Sequence, residues 1–300
     1  MARTRFRSDR GLTLRMGGVG FGLGALYVAF GVFLYQGLGL GAIGLVIVLA
    51  MAWGQWYFSD TLALKSMGAK VVTPEQAPEL HAMIDRLCAL ADMPKPRVAV
   101  AVTDMPNAFA TGRSPKHSSV CVTTGIMQRL DAEELEGVLA HELAHVANRD
   151  VTVMTVASSL GLLAGFITRW GMYATSMFGG RNNKNGGIAF LLVFVVSMVV
   201  YAISFVLTRS LSRYRELSAD RSGAYLTGRP SKLASALVKI SGDMASIPNR
   251  DLREGQAISA FFFAPAINRQ SIGALFSTHP PLEQRIDQLA KVSAELSEQG

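Results

Sequence analysis

Two histidines four residues apart, His141 and His145, enclose Glu142 in the pattern His-Glu-x-x-His. On a helix, side chains four apart share a face, so both imidazoles can meet one ion while Glu142 projects beside them towards a bound water. That is the chemistry of metal-assisted hydrolysis. A catalytic zinc takes three protein ligands and keeps one position open, so a third ligand must come from elsewhere in the chain. The stretch Arg-Tyr-Arg-Glu-Leu-Ser-Ala-Asp at 213–220 offers Glu216 and Asp220, again four apart and again on one helical face. The arrangement places Glu216 on the metal and Asp220 in a hydrogen bond to a ligand imidazole, where it fixes tautomer and ring orientation. Without the histidine motif the same carboxylates would read equally well as partners for Arg213, Arg215 and Arg221. His81 and His117 have no supporting neighbours and read as surface or cap residues. Nitrogen and oxygen ligands favour one zinc ion per chain without excluding another divalent ion.

The elements that must position these groups are legible around them. Asp131 and Glu134 have the spacing of a capping box, which starts a helix running through Leu135, Val138 and Leu139 into the histidine motif. A second helix is predicted over 78–91, with Leu80, Met83, Ile84 and Leu87 on one face. Residues 98–102 and 120–123 are short, β-branched strand candidates. Between them, the segment 105–112 contains Asn107, Ala108 and Phe109. It is either an exposed strand edge to which an extended peptide can add, or an ordinary loop. His279, in Thr-His-Pro-Pro, is the leading donor to the oxyanion of a tetrahedral intermediate, with Tyr214 in reserve. Its alternative is a cap on the turn that starts a helix over 282–289. Phe261, Phe262 and Phe263 form either an apolar contact for substrate or a buried cluster.

Half of the 300 residues are hydrophobic and 17% are charged, against roughly a quarter charged in soluble domains. Disorder, collagen and disulfide scaffolds are excluded. Residues 16–59 contain no charged side chain. A bilayer core about 30 Å thick needs about 20 apolar helical residues, so this run holds two spans. They are placed near 17–35 and 40–56, with Trp53, Trp56 and Tyr57 at the headgroup level. Two further uncharged runs, 151–168 and 185–208, give a third and a fourth span, though the former reads equally as a buried or interfacial helix. The linker 169–187 is a flexible loop by composition, and its three positive charges conflict mildly with the positive-inside rule. Arg3, Arg5, Arg7, Arg10 and Arg15 face only Asp9, and the net charge is +7. Beside a lipid-length run this tail reads as a topology signal, not as a nucleic-acid site. Cys88 and Cys121 lie outside any Cys-x-x-Cys pattern and read as buried structural thiols in a reducing compartment. The expected division is therefore 1–59 with two spans, 60–150 with the histidine motif, 151–208 as an apolar hairpin, and 209–300 with the third ligand. Since His145 and Glu216 must meet one ion, the chain between them crosses the bilayer an even number of times. The short separations from 145 to 151 and from 208 to 216 put the ion at the cytoplasmic membrane surface.

Four segments in order, PNAFATG at 106–112, HELAHVANRD at 141–150, RYRELSAD at 213–220 and STHPPLEQRI at 277–286, resemble the HtpX family of membrane zinc metalloproteases. The resemblance covers nearly the whole chain. It implies an α+β, mostly helical, multi-span membrane protein with a gluzincin-type zinc metalloprotease domain. It also implies zinc on His141, His145 and Glu216, Glu142 as general base, and a bacterial inner-membrane location with the active site facing the cytoplasm. The partners expected are polypeptide substrates, chiefly misfolded or damaged membrane proteins in quality control and stress response, together with the lipid bilayer and no nucleic acid. The alternatives are a CAAX-type processing endopeptidase, similar around the same motifs, and a non-catalytic zinc-binding membrane adaptor.

Overall fold

The computed structural model describes residues 10–37, 46, 49–50, 53–54, 56–150, 184–246 and 280–298. His279, Phe261 to Phe263, the run 151–168, the loop to 183 and most of the predicted helix 40–56 lie outside the described residues. The chain divides into two compact units. One holds the described residues of Met1–Thr13, Ser59–Val151 and Ser212–Gly300, the other those of Leu14–Phe58 and Thr152–Leu211.

In the first unit a four-stranded sheet carries the histidine helix. Its strands are β1 (Lys70–Val71), β2 (Arg97–Ala101), β3 (Ala108–Ser114) and β4 (His117–Thr123), in the order β1-β2-β4-β3. Strand β2 runs parallel to β4, while β3 folds back antiparallel on β4 with Phe109 opposite Cys121. Ala108 and Phe109 therefore lie on an edge strand among the described residues rather than in a loop, with Asn107 just before it. Its hairpin closes on Gly112, whose φ of +136° and whose missing Cβ, which would stand 2.3 Å from the His117 carbonyl oxygen, both require glycine.

Side chains alternate across the sheet with period two and find apolar cover on both faces. Val98, Val120 and Val122 pack against Leu80, Ile84 and Leu87 of α3 (Pro78–Ala91) and Val138, Leu139 and Leu143 of α5 (Ala132–Ala147). On the reverse face Ala99, Ala101, Phe109 and Cys121 meet Ala63 and Leu64 of α2 (Ser59–Ser66). Both cysteines are buried, and burial pushes Cys88 up to about 11 and Cys121 up to about 12, so both thiols are neutral structural groups. His81 departs from the surface expectation. It is buried, with Nε2 3.1 Å from the Val72 carbonyl, where it ties α3 to the chain after β1. His117 is exposed at the hairpin tip.

Helix α5 begins as the sequence requires. Asp131 Oδ1 accepts from the Glu134 amide at 2.8 Å, and Glu134 Oε2 accepts from the Asp131 amide at 2.9 Å. The buried Glu134 carboxylate also accepts from Ser235 Oγ at 2.6 Å and Lys239 Nζ at 2.7 Å, both on α7 (Pro230–Ser246). A short α4 (Thr124–Arg129) precedes this motif, and α8 (Leu282–Ser297) closes the unit, longer than the expected 282–289.

The sequence separates an apolar span from the stretch with Glu216, but the structure makes them one helix, α6 (Lys184–Thr227). Within the second unit α6 packs on α1 (Arg10–Gly37) through Val200, Leu23 and Phe30. Outward, Phe21, Val28, Leu191, Val195 and Val199 are exposed. Large apolar side chains in that position are what lipid accepts and water does not. The segments Gly11–Phe33 and Phe194–Thr227 are long and apolar enough to cross a membrane.

Candidate metal centre

Helix α5 is buried on every side through the histidine motif, and α6 crosses it at that point. The crossing is close because Gly223 faces α5. A methyl group there would stand 2.9 Å from the His141 amide nitrogen and 3.1 Å from the Ala140 carbonyl carbon. Gly223, Asp220 and Glu216 are spaced three and four apart, so one stripe of α6 brings a gap and two carboxylates against the histidines. Replacing Gly223 by alanine is expected to force the helices apart. Overpacking of this kind costs about 1–3 kcal/mol, and zinc affinity should fall with it by about tenfold, since 1.4 kcal/mol is one decade. Thermal unfolding and zinc competition against a chromophoric chelator check this.

The ligand atoms of His141, His145 and Glu216 all lie within 4.8 Å of one another, and all three residues are buried. The two Nε2 atoms are 3.2 Å apart. Glu216 Oε2 is 3.6 Å from His141 Nε2, and Oε1 is 3.5 Å from His145 Nε2. The outer nitrogens face carboxylates instead: His141 Nδ1 lies 2.9 Å from Asp220 Oδ1, and His145 Nδ1 lies 2.8 Å from Asp150 Oδ2. With the ring protons on Nδ1, facing these carboxylates, two Nε2 lone pairs and two carboxylate oxygens converge once His141 gives up its second proton. Four acceptors facing one another call for a cation. The same field acts on His141 in the metal-free protein. Burial pulls the ring down, but the hydrogen bond and charge of Asp220 outweigh it, with Glu216 adding to them, and His141 is pushed up to about 9. The donor set therefore fits a zinc ion, with His141, His145 and Glu216 as the residues that would hold it.

Glu142 points to the same place from the next position on α5. Its Oε2 accepts from the Ala110 amide of β3 at 2.8 Å. Burial pushes its carboxyl above the ordinary carboxylate range, against the pull of the two histidines. The edge strand thus lies directly beside the acid. Asn107, Ala108 and Phe109 themselves turn buried side chains inward, so what β3 offers at this edge is backbone. Tyr214 lies two residues before Glu216, about 200° round the helix by the 3.6-residue turn, on a different face from the ligands.

Two members of the site are absent from the expected set. Asp150 follows the helix end, where Arg149 adopts a left-handed φ of 60° and turns the chain back so that the carboxylate reaches His145. Its only sequence signal is a carboxylate five residues beyond the second histidine. Arg285, on α8, is 1% exposed and grips Asp220 through both oxygens, Nε to Oδ2 at 2.7 Å and Nη2 to Oδ1 at 2.6 Å. A planar fork matched to a carboxylate is the strongest way to hold that group in the interior.

Residues 74–293 match the profile of Peptidase family M48. The chain is 55% identical to Protease HtpX homolog 1 of Streptomyces coelicolor, over 99% of this chain and 97% of that one. It is 52% identical to Protease HtpX homolog of Moorella thermoacetica over 99% of both, and 50% identical to Protease HtpX homolog 2 of Methanosarcina mazei over 98% and 100%. Among solved structures, the crystal structure of S. mikatae Ste24p superposes with a TM-score of 0.52 at 19% identity. That match takes in 93% of this chain and 64% of the longer Ste24p chain, and it is a likeness of fold.

Proposed function

The chain belongs to peptidase family M48 and is a metalloprotease, and from that premise we propose a zinc endopeptidase of the bacterial inner membrane, acting from the cytoplasmic side on misfolded or damaged membrane proteins. The observation that carries this reading is the convergence of His141, His145 and Glu216 from two helices, with Glu142 beside them.

Bound zinc would supply a Lewis acid for the scissile carbonyl and would acidify a water to a pKa of about 7. Glu142 takes a proton from the attacking water and returns it to the leaving amine. Its raised affinity for protons, from burial, suits a group that must hold one between the two steps. The Ala110 amide keeps the Glu142 carboxylate aimed while it is charged. Asp220 and Asp150 hold the two imidazoles by their Nδ1 atoms, which leaves Nε2 free for the ion.

The substrate strand adds along β3. That edge has no neighbouring strand among the described residues, and alternation in an antiparallel pair turns the backbone groups of Ala108 outward with those of Ala110. Binding through backbone groups accepts many sequences, which suits unfolded clients. His279 is the proposed second donor to the oxyanion. It stands three residues before α8, the helix that Arg285 ties to Asp220. Three ligands among the described residues, with the carboxylate of Glu142 beside them, speak for catalysis rather than for a closed, structural zinc.

The multi-span arrangement rests on the apolar runs and the basic tail: two spans before Asp60 return the chain to the side of that tail, and an even number of crossings between His145 and Glu216 keeps the third ligand there. The reading predicts that the purified full chain in detergent binds about one zinc and cleaves an unfolded membrane-protein reporter. Chelation should take cleavage to background, and stoichiometric zinc should restore it. Cleavage that persists in rigorously metal-free protein would remove the hydrolytic role of the site.

A further inference from the structure

Arg215 precedes the third ligand on α6, and its side chain is 13% exposed. Its Nη2 lies 3.4 Å from Glu216 Oε1. Its Nε lies 3.4 Å from Asp150 Oδ2, the oxygen that also faces His145 Nδ1. One nearly buried guanidinium thus stands between the carboxylate that holds the second histidine and the carboxylate that meets the metal. The planar fork of arginine can address two such groups at once, which a point-charge ammonium cannot.

The two oxygens of Glu216 are placed almost alike towards the imidazoles, at 3.6 Å from His141 Nε2 and 3.5 Å from His145 Nε2. Nothing in that near symmetry makes the carboxylate bind through one oxygen. A cation drawn into the centre would accept both, and the second oxygen would take the position that a catalytic zinc leaves open. Arg215 breaks the symmetry, because its positive N–H group meets the carboxylate at Oε1. A lone pair engaged by a guanidinium is a poorer metal donor.

We propose that Arg215 is a positioning residue that reserves Glu216 Oε1, so that the carboxylate offers the ion a single oxygen, Oε2, and the fourth coordination position stays open. The proposal rests on the reading of the centre as a metal site. Through its charge 3.4 Å from Asp150 Oδ2, Arg215 also couples the carboxylate behind His145 to Glu216, so both ligands keep their aim together.

Cobalt(II) in place of zinc makes this visible, since four-coordinate cobalt absorbs more intensely in the visible range than five-coordinate cobalt. The full chain is purified in detergent, loaded with Co²⁺ and compared with Arg215→Met. The wild-type protein is expected to give the intense four-coordinate band. The variant should bind cobalt stoichiometrically with a weaker, shifted band. In the zinc form it should show kcat reduced roughly 10–100-fold, the range for residues that support metal ligands, with KM little changed. If Arg215→Met does not accumulate, Arg215→Gln is read in the same way, being too short and uncharged to hold Oε1. Identical bands in the wild type and the variant at full occupancy overturn the proposal, as does a variant that only loses metal while its band shape is kept. A wild-type protein that takes up no cobalt or zinc overturns the metal-site reading itself, a distinct failure.

Discussion

Replacing Glu142 by glutamine is expected to lower kcat for peptide cleavage by a factor on the order of 10²–10⁴, the usual contribution of a positioned general acid–base group. Zinc content should stay near that of the wild type. The two results belong together because Glu142 is not one of the three converging ligands, yet it lies against them. Glutamine is nearly isosteric, and its carbonyl oxygen can still accept from the Ala110 amide, the contact that Glu142 Oε2 makes at 2.8 Å. The local geometry therefore survives, and what is lost is the capacity to take up and return a proton. Single-turnover cleavage assays with metal analysis on the same preparation read both quantities. Full activity in this variant would end the protease mechanism given above. Loss of zinc along with activity would instead move Glu142 into the ligand set.

The largest effect on stability is expected at Arg285. The residue is 1% exposed, and its guanidinium meets Asp220, itself fully buried, through both carboxylate oxygens. Arg285→Met keeps most of the side-chain volume and removes the guanidinium, leaving the buried Asp220 charge with only the His141 ring beside it. Breaking one side of such a pair costs about 3–5 kcal/mol. For a unit of this size that is a fall in unfolding temperature on the order of 10 °C. The loss is one of charge rather than of shape, so a second change that neutralises the orphan, Asp220→Asn, should recover part of the stability. The double variant is thus expected to be more stable than Arg285→Met alone. Strict additivity of the two single changes would mean that the pair is not coupled, contrary to the bidentate geometry. Zinc affinity in Arg285→Met should also fall, because Asp220 holds His141 by Nδ1.

The residues that were legible in the sequence are those whose relation is carried by one helix. His141 with His145, and Glu216 with Asp220, are pairs four apart, and the helical turn alone puts each pair on one face. The capping box from Asp131 to Glu134 and the helix over 78–91 were legible for the same reason. For strand β3 the local pattern leaves edge strand and loop equally open, because 108–114 has a single β-branched residue, Thr111, and takes extended form from pairing with β4. The sheet order β1-β2-β4-β3 likewise depends on long-range pairing that no local pattern encodes. Asp150 was hidden by a backbone conformation, the left-handed Arg149. Arg285 stands 65 residues beyond Asp220, so only the folded chain brings the two together. The continuity of α6 escaped a reading that separated apolar from charged segments, since an α-helix has no need to stop where its solvent changes.

The burial of both native thiols has a practical consequence for tracing the chain through a bilayer. Thiol reagents act on exposed thiolate, and Cys88 and Cys121 offer neither exposure nor charge. A cysteine placed in the arginine-rich tail, for example at Ser8, would then be labelled by a membrane-impermeant maleimide against two native thiols that resist it on the folded protein. The sidedness of that tail can be read on an otherwise native background, with neither original cysteine replaced.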